Sequence, residues 1–173
     1  MQIDRRGAII AGMSAKKHRK NDKNAPAAVN KKAYYNFELV EKVEAGLSLV
    51  GSEVKSLRAG GGDLNGSYAR IIDGECFLLG ATIAQYEQAG DRNHEPTRKR
   101  KLLLHRREIL RIKTKLEQRG FTLVPLRIYF SERGLAKAEL ALARGKRQYD
   151  KRKSITERQQ KKDVDRQMKK YRR

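Results

Sequence analysis

FTLVPLRIYFSERGLAKAELALA, residues 121–143, decides the fold. Two apolar runs flank Ser131-Glu132-Arg133-Gly134, a cluster of turn formers, and read as two neighbouring β-strands. Val124, Leu126, Ile128 and Phe130 alternate with their neighbours, and Leu140 and Leu142 continue that pattern, so these positions are the expected inner face. Pro125 donates no hydrogen bond to a ladder, which places its strand at an edge or at a bulge.

Working outward, residues 103–118, LLHRREILRIKTKLEQ, read as a helix that Gly120 stops. Leu102, Ile109, Ile112 and Leu116 lie close to one face, and basic residues cover much of the rest. Further upstream, SYARIIDG and ECFLLGATI meet at Asp73-Gly74, a two-residue hairpin turn. YYNFELVEKVEAG opens the sheet, with Tyr35, Phe37 and Leu39 alternating, and LSLVG continues it. GSEVKSLRAGGG reads as a two-turn helix capped by Ser52 and ended by its glycines. Residues 85–97 are polar, contain Pro96, and read as a loop.

The expected fold class is therefore mainly β, with five or six short, mostly antiparallel strands and two to three helices. Closing such short strands into a small barrel removes exposed edges. Three segments follow: a basic, disordered arm over 1–29, a body over 30–143, and a basic tail over 144–173. The tail carries 14 Lys or Arg against 4 Asp or Glu, so it cannot bury enough apolar surface to fold alone. Met13 is a second candidate start, with residues 1–12 then either an artefact of gene calling or a real extension.

The chain is +21 overall, and the charge is segregated. Residues 1–33 net +7, 34–97 net −5, 98–119 net +8 and the tail +10, which suggests a shaped footprint for a polyanion. One cysteine, Cys76 in ECFLL, leaves no internal disulfide and reads as a buried strand thiol. No run reaches the roughly 18–20 apolar residues of a membrane span, and no export signal is evident, so a cytoplasmic protein is expected.

Signals for catalysis are weak. His18, His94 and His105 are far apart, with no metal-ligand spacing, and His94 reads as a loop histidine. Glu53, Asp63, Asp73 and Glu75 are isolated carboxylates. Gly60-Gly61-Gly62 follows a helix and lacks the lysine of a phosphate loop. No enzyme, metal or cofactor is expected.

The binding signals are stronger. Arg98, Lys99, Arg100 and Lys101, then Arg106 and Arg107, suit backbone phosphates. Glu53 could accept a base amino group, hold an arginine, or simply pair with a lysine. In the tail, Gly145 marks the exit from the body. Glu157 and Lys161, and Asp165 and Lys169, are acid-first i,i+4 pairs, while Val164, Met168 and Tyr171 form a thin apolar stripe. Such a segment is marginal in water and can become helical on a charged partner. Tyr149 offers a ring for base stacking. On these features a general RNA-binding or ribosome-assembly protein and an enzyme acting on RNA both stay open. A DNA-architectural role is disfavoured, because no helix is built for the major groove.

Asn30-Lys31-Lys32-Ala33 with YYNFEL, then EAGLSLVGSEVKSLRAG, NHEPTRKRKLLLHRREI, GFTLVP and ALARGKRQYDKR, in that order, resemble the SsrA-binding protein family over about residues 30–173. The resemblance implies a small barrel related to the oligonucleotide-binding fold, with flanking helices. It implies a protein that binds the tRNA-like domain of transfer-messenger RNA and brings it to the empty A site of a stalled ribosome. Elongation factor Tu would share the delivery complex, and a monomer is expected. The tail would occupy the small-subunit decoding centre and mRNA channel, with catalysis left to the ribosome and the synthetase. Matched by motif, Asn30 and Glu53 belong to the RNA-facing surface, assisted by Arg98 to Lys101. Gly145, Lys146, Arg147, Asp150, Lys151 and Arg152 form the start of the tail, with Lys161, Lys162 and Met168 further along it. Tyr149 stands where the family commonly has a stacking histidine, and Gln167-Met168 where it often has an apolar pair.

Overall fold

The computed structural model describes residues 26–118 and 120–146 and, within the tail, Gln159, Val164 and Met168. Among the described residues the architecture is mixed α/β. Strand β1 (Pro26–Val29) and a single helical turn α1 (Ala33–Asn36) lead into the long β2 (Phe37–Leu47). Helix α2 (Gly51–Arg58) and the short β3 (Gly62–Asp63) follow, then β4 (Tyr68–Ile72), β5 (Glu75–Leu79) and β6 (Thr82–Ile83). After a 3-10 stretch at Glu87–Arg92 come β7 (Arg100–Leu103), α3 (Arg106–Leu116), β8 (Phe121–Phe130) and β9 (Ala136–Gly145).

Seven strands form one antiparallel sheet in the order β1-β8-β4-β5-β7-β2-β9, and β9 also pairs with β8. The pairings from β8 through β4, β5, β7, β2 and β9 therefore return to β8, while β1 lies outside that circuit. β3 and β6 form a separate two-stranded pair. Asp73 (φ 50°) and Gly74 (φ 77°) make the β4–β5 turn in the left-handed conformation that a two-residue hairpin requires.

Two bulges decide which residues are inside. β2 carries an extra residue against β9 between Leu39 and Glu41, and β8 does so between Pro125 and Arg127. Each extra residue inverts the side-chain alternation beyond it. Val43, Ala45 and Leu47 consequently join Leu123, Ile128, Ala138 and Leu140 in the main core, over which Leu57 of α2 and Ile112 of α3 are packed. Phe37 and Leu39 lie on the other face, against a second cluster of Ala33, Val124, Leu126, Ala141 and Ala143. The expected common face of Val124, Leu126, Ile128 and Phe130 is thus divided by the bulge that Pro125 signals. β9 is covered on both faces, which is why it reads LALA rather than alternating apolar with polar.

Other expectations shift at their edges. The sheet takes in Pro26–Val29, which composition assigns to the arm; β1 pairs with Arg127–Tyr129 of β8. Tyr35 lies in a helical turn, and β2 stops at Leu47, before the end of LSLVG. The longer helix begins only at Arg106, because residues 100–103 form β7, where Leu102 is buried opposite Cys76. A strand this short between a basic run and a helix leaves no periodic signal of its own.

Candidate nucleic-acid interface

Glu53 is wholly buried at the start of α2. It stands three residues after the N-cap Val50, and its Oε2 accepts the otherwise unpaired Val50 N–H at 2.8 Å. Glu53, not Ser52, thereby closes the first turn. Arg98 donates Nε to Oε1 (2.8 Å) and Nη2 to Oε2 (2.5 Å), a bidentate pair, and Arg100 adds its Nε to Oε1 at 2.9 Å. Arg100 is also fully buried, and its remaining N–H groups donate to the carbonyls of Ala81, Pro96 and Arg98. Burial alone would push the Glu53 carboxyl up, but these hydrogen bonds together hold it below its ordinary 4.5.

His94 completes this knot. It is buried, and because the Ile83 carbonyl only accepts, its Nε2 carries the proton and donates to it at 3.1 Å. Nδ1 then accepts from the Ser52 hydroxyl at 3.0 Å. The sequence places His94 in an exposed loop, whereas the structure uses it to fasten that loop onto α2.

The run 98–101 therefore divides by strand alternation. Arg98 and Arg100 turn inward to Glu53, while Lys99 and Lys101 turn outward, Lys99 lying over the Phe77 ring and Lys101 pairing with Glu75. Neither Glu53 nor Arg100 presents a free polar edge to solvent; both are engaged within the fold. Asn30 is likewise buried: its Nδ2 donates to the Pro125 carbonyl at 3.1 Å and its Oδ1 accepts Ala33 N–H at 3.0 Å. It ties α1 to the β8 bulge.

Sequence reasoning named Lys101, Arg106 and Arg107 at the corner where β7 passes into α3 but missed Leu103 between them. Leu103 is 54% exposed there, and Gly46 leaves the space it needs, since a Cβ at Gly46 would fall 3.2 Å from Leu103 Cβ. On one side is a groove of about 720 Å³ lined by Asp73, Glu75, Lys101, His105 and Arg106. On the other is one of about 440 Å³ lined by Lys42, Glu44, His105, Arg111 and Lys137. Arg106 and Arg107 are exposed, with no ion pair among the described residues. A run of leucines in a basic stretch was the available signal, but only the tertiary structure shows that Leu103 is not core.

Elsewhere several cations are matched. Glu139 lies between Lys42 (3.0 Å) and Arg127 (2.5 Å), Glu41 between Arg111 (2.6 Å) and Lys115 (2.5 Å), and Glu44 holds Lys137 and the Tyr129 hydroxyl. At the root of the tail, Gly145 still pairs with Phe37, and Lys146 N–H donates to the Asn36 carbonyl at 3.0 Å. The pairing of the body thus reaches at least to Lys146. Met168 is exposed and in helical backbone. Arg147, Tyr149, Asp150, Lys151, Arg152, Lys161 and Lys162 lie outside the described residues.

Among the described residues no group of three or more His, Cys, Asp or Glu could hold a metal ion, and no helix is long and apolar enough to cross a membrane. A family model described as SmpB protein matches residues 27–170. The chain is 54% identical over 141 residues to the SsrA-binding protein of Symbiobacterium thermophilum, covering 82% of this chain and 89% of that one. It is 53% identical over 152 residues to the SsrA-binding protein of Roseiflexus sp. (87% and 96%). A solved structure described as "tmRNA-SmpB: a journey to the center of the bacterial ribosome" is 49% identical, with a TM-score of 0.62, covering 77% of this chain and 94% of that one. With more than half of its length matched by the family model, and relatives this similar over nearly their whole length, the chain belongs to the SmpB, or SsrA-binding, protein family.

Proposed function

We propose that the protein binds the tRNA-like domain of transfer-messenger RNA and delivers it to stalled ribosomes, acting by binding and not by catalysis. The observation that carries this is the extent of the family match, which runs unbroken through body and tail from residue 27 to residue 170. A general RNA-binding barrel would account for the body alone.

The returning circuit of strand pairings supports a small barrel of the oligonucleotide-binding type. The RNA face is the β7–α3 corner: Leu103 offers an apolar contact to sugar or base, and Lys99, Lys101, Arg106 and Arg107 meet phosphates. Glu53, Arg98, Arg100 and Asn30 keep that face in shape from below. The tail, from Arg147 through Tyr149, Asp150, Lys151 and Arg152 to Lys161, Lys162 and Met168, enters the decoding centre and the vacant mRNA channel and folds there as a helix. The protein works as a monomer in the cytoplasm, and elongation factor Tu shares the delivery complex.

The test is a salt-controlled binding titration of the full chain and of a chain ending at Lys146. Both are titrated with the tRNA-like domain, an ordinary tRNA and an unstructured RNA of equal length. Selective binding kept by the shortened chain, with tagging on stalled ribosomes lost, is the expected outcome. Unselective binding, or binding that disappears with the tail, overturns the proposal.

A further inference from the structure

The one Asn-Gly pair in the chain is Asn65-Gly66, in the turn that joins β3 to β4. Ser67 N–H donates to the Leu64 carbonyl at 3.2 Å, and Gly66, third of those four residues, has the φ of 74° that a type II turn needs there. Leu64 and Ser67 are buried and fix both ends of the turn, whereas Asn65 and Gly66 stand exposed between them. The Gly66 N–H has no hydrogen-bond partner among the described residues, and a Cβ at Gly66 would meet nothing within 4 Å.

Asparagine is chemically labile because the backbone nitrogen of the next residue can close a five-membered ring on its side-chain carbonyl carbon. Glycine, which has no Cβ, hinders that approach least. The other described asparagines lack the combination. Asn30 and Asn93 have both amide atoms engaged: Asn30 with Pro125 and Ala33, Asn93 with Tyr86 and His94. Asn36 is followed by Phe37, which carries a Cβ and whose N–H is bound to the Ala33 carbonyl. Asn65 has a different neighbour. Asp63 Oδ1 accepts its N–H at 2.9 Å and its Nδ2 at 2.7 Å.

We propose that Asn65 is a site of non-enzymatic deamidation, with Asp63 as its brake. The Gly66 nitrogen gives its proton to water and bonds to Asn65 Cγ. The Cγ–Nδ2 bond breaks, and the amino group takes a proton from water and leaves as ammonia. Water then opens the succinimide at either carbonyl, giving aspartate or isoaspartate and restoring the Gly66 N–H. One water is consumed and one ammonia released, with no change in oxidation state. Asp63 slows this in two ways: it fixes the amide, and it sets a negative charge beside the carbon whose oxygen becomes anionic in the intermediate. The same carboxylate cannot hold the product, which offers no side-chain N–H and brings a second negative charge against it, so the turn loosens once the reaction has occurred. This site is independent of the function proposed above.

The full-length protein is incubated at mildly alkaline pH, folded and in guanidinium chloride, and the tryptic peptide 59–70, bounded by Arg58 and Arg70, is followed by mass and chromatography. Aspartate and isoaspartate are expected at Asn65 in the folded chain, ahead of Asn30, Asn36 and Asn93 and more slowly than in the unfolded chain. Asp63→Ala is expected to speed the folded-state reaction about fivefold, the factor for removing one like charge at about 4 Å in water. Asp63→Asn, which keeps the acceptor and removes the charge, serves where the alanine lowers the thermal midpoint. Asn65→Asp is expected to lower that midpoint, and Asp63→Asn added to it to restore it. Conversion confined to the unfolded chain, or aspartate without isoaspartate, overturns the site. A folded-state rate that neither Asp63 variant raises overturns the brake, and an unchanged midpoint in Asn65→Asp overturns the loosening.

Discussion

Glu53 is a buried charge shared by two guanidinium groups and a backbone N–H. Removing its charge leaves Arg100 buried and uncompensated, so Glu53→Gln should lower unfolding stability by about 3–5 kcal/mol, measured from urea midpoints. Its folded pKa is depressed, so its stabilisation is fully present above about 4.5 and is lost as pH falls through the lower folded value. The difference between wild type and Glu53→Gln should therefore shrink as pH falls below about 4.5. A difference unchanged across that range would mean the carboxylate is held by packing and not by its arginines. Cys76 tests the core from another side. Burial pushes its thiol up to about 11, so a thiol-exchange reagent should label it only as fast as the protein opens, and at once in denaturant.

The glycine run shows how an element is placed by close approach. A Cβ at Gly62 would lie 2.6 Å from Leu57 Cδ2 and 2.9 Å from Ala28 Cβ, and both neighbours are core. The run thus lets β3 pass against α2 and β1, a packing reason for glycines that phosphate chemistry could not supply. Gly62→Ala should cost about 1–3 kcal/mol by overpacking, seen as a lowered thermal midpoint, with RNA selectivity intact in the folded fraction. Selectivity lost without a change in midpoint would instead place these glycines against a ligand.

Across the whole molecule, the charge divides into a matched part and an unmatched part. On β2 and β9 the carboxylates Glu41, Glu44 and Glu139 each hold cations and sit below their ordinary 4.5, Glu41 chiefly through Lys115 and Glu44 through Lys137. Such exposed pairs contribute little to stability and nothing to a polyanion site. The cations without an ion pair among the described residues include Arg106 and Arg107 of the β7–α3 corner, and the tail adds residues 147–173, which net +8. The salt slope of binding to unstructured RNA should therefore flatten markedly when the chain ends at Lys146, while the slope for the tRNA-like domain changes less. Equal flattening for both RNAs would mean that the tail, and not the body, holds the phosphates.

The sequence by itself determined whatever depends on neighbours along the chain. That covers the Asp73-Gly74 hairpin, the β8–β9 pair, the α2 and α3 helices to within a few residues, the choice between edge and bulge that Pro125 imposes on β8, and the family's ordered motifs. Those motifs sufficed to identify the family. The tertiary structure decided which way side chains face, because one extra residue in β2 and in β8 inverts every position beyond it. It also decided the fate of the charges. Glu53 meets Arg98 and Arg100 across separations of 45 and 47 residues, and His94 meets Ser52 across 42. No local pattern records such distances, so a run of four basic residues reads as one phosphate-binding patch until folding pairs two of them with one buried carboxylate.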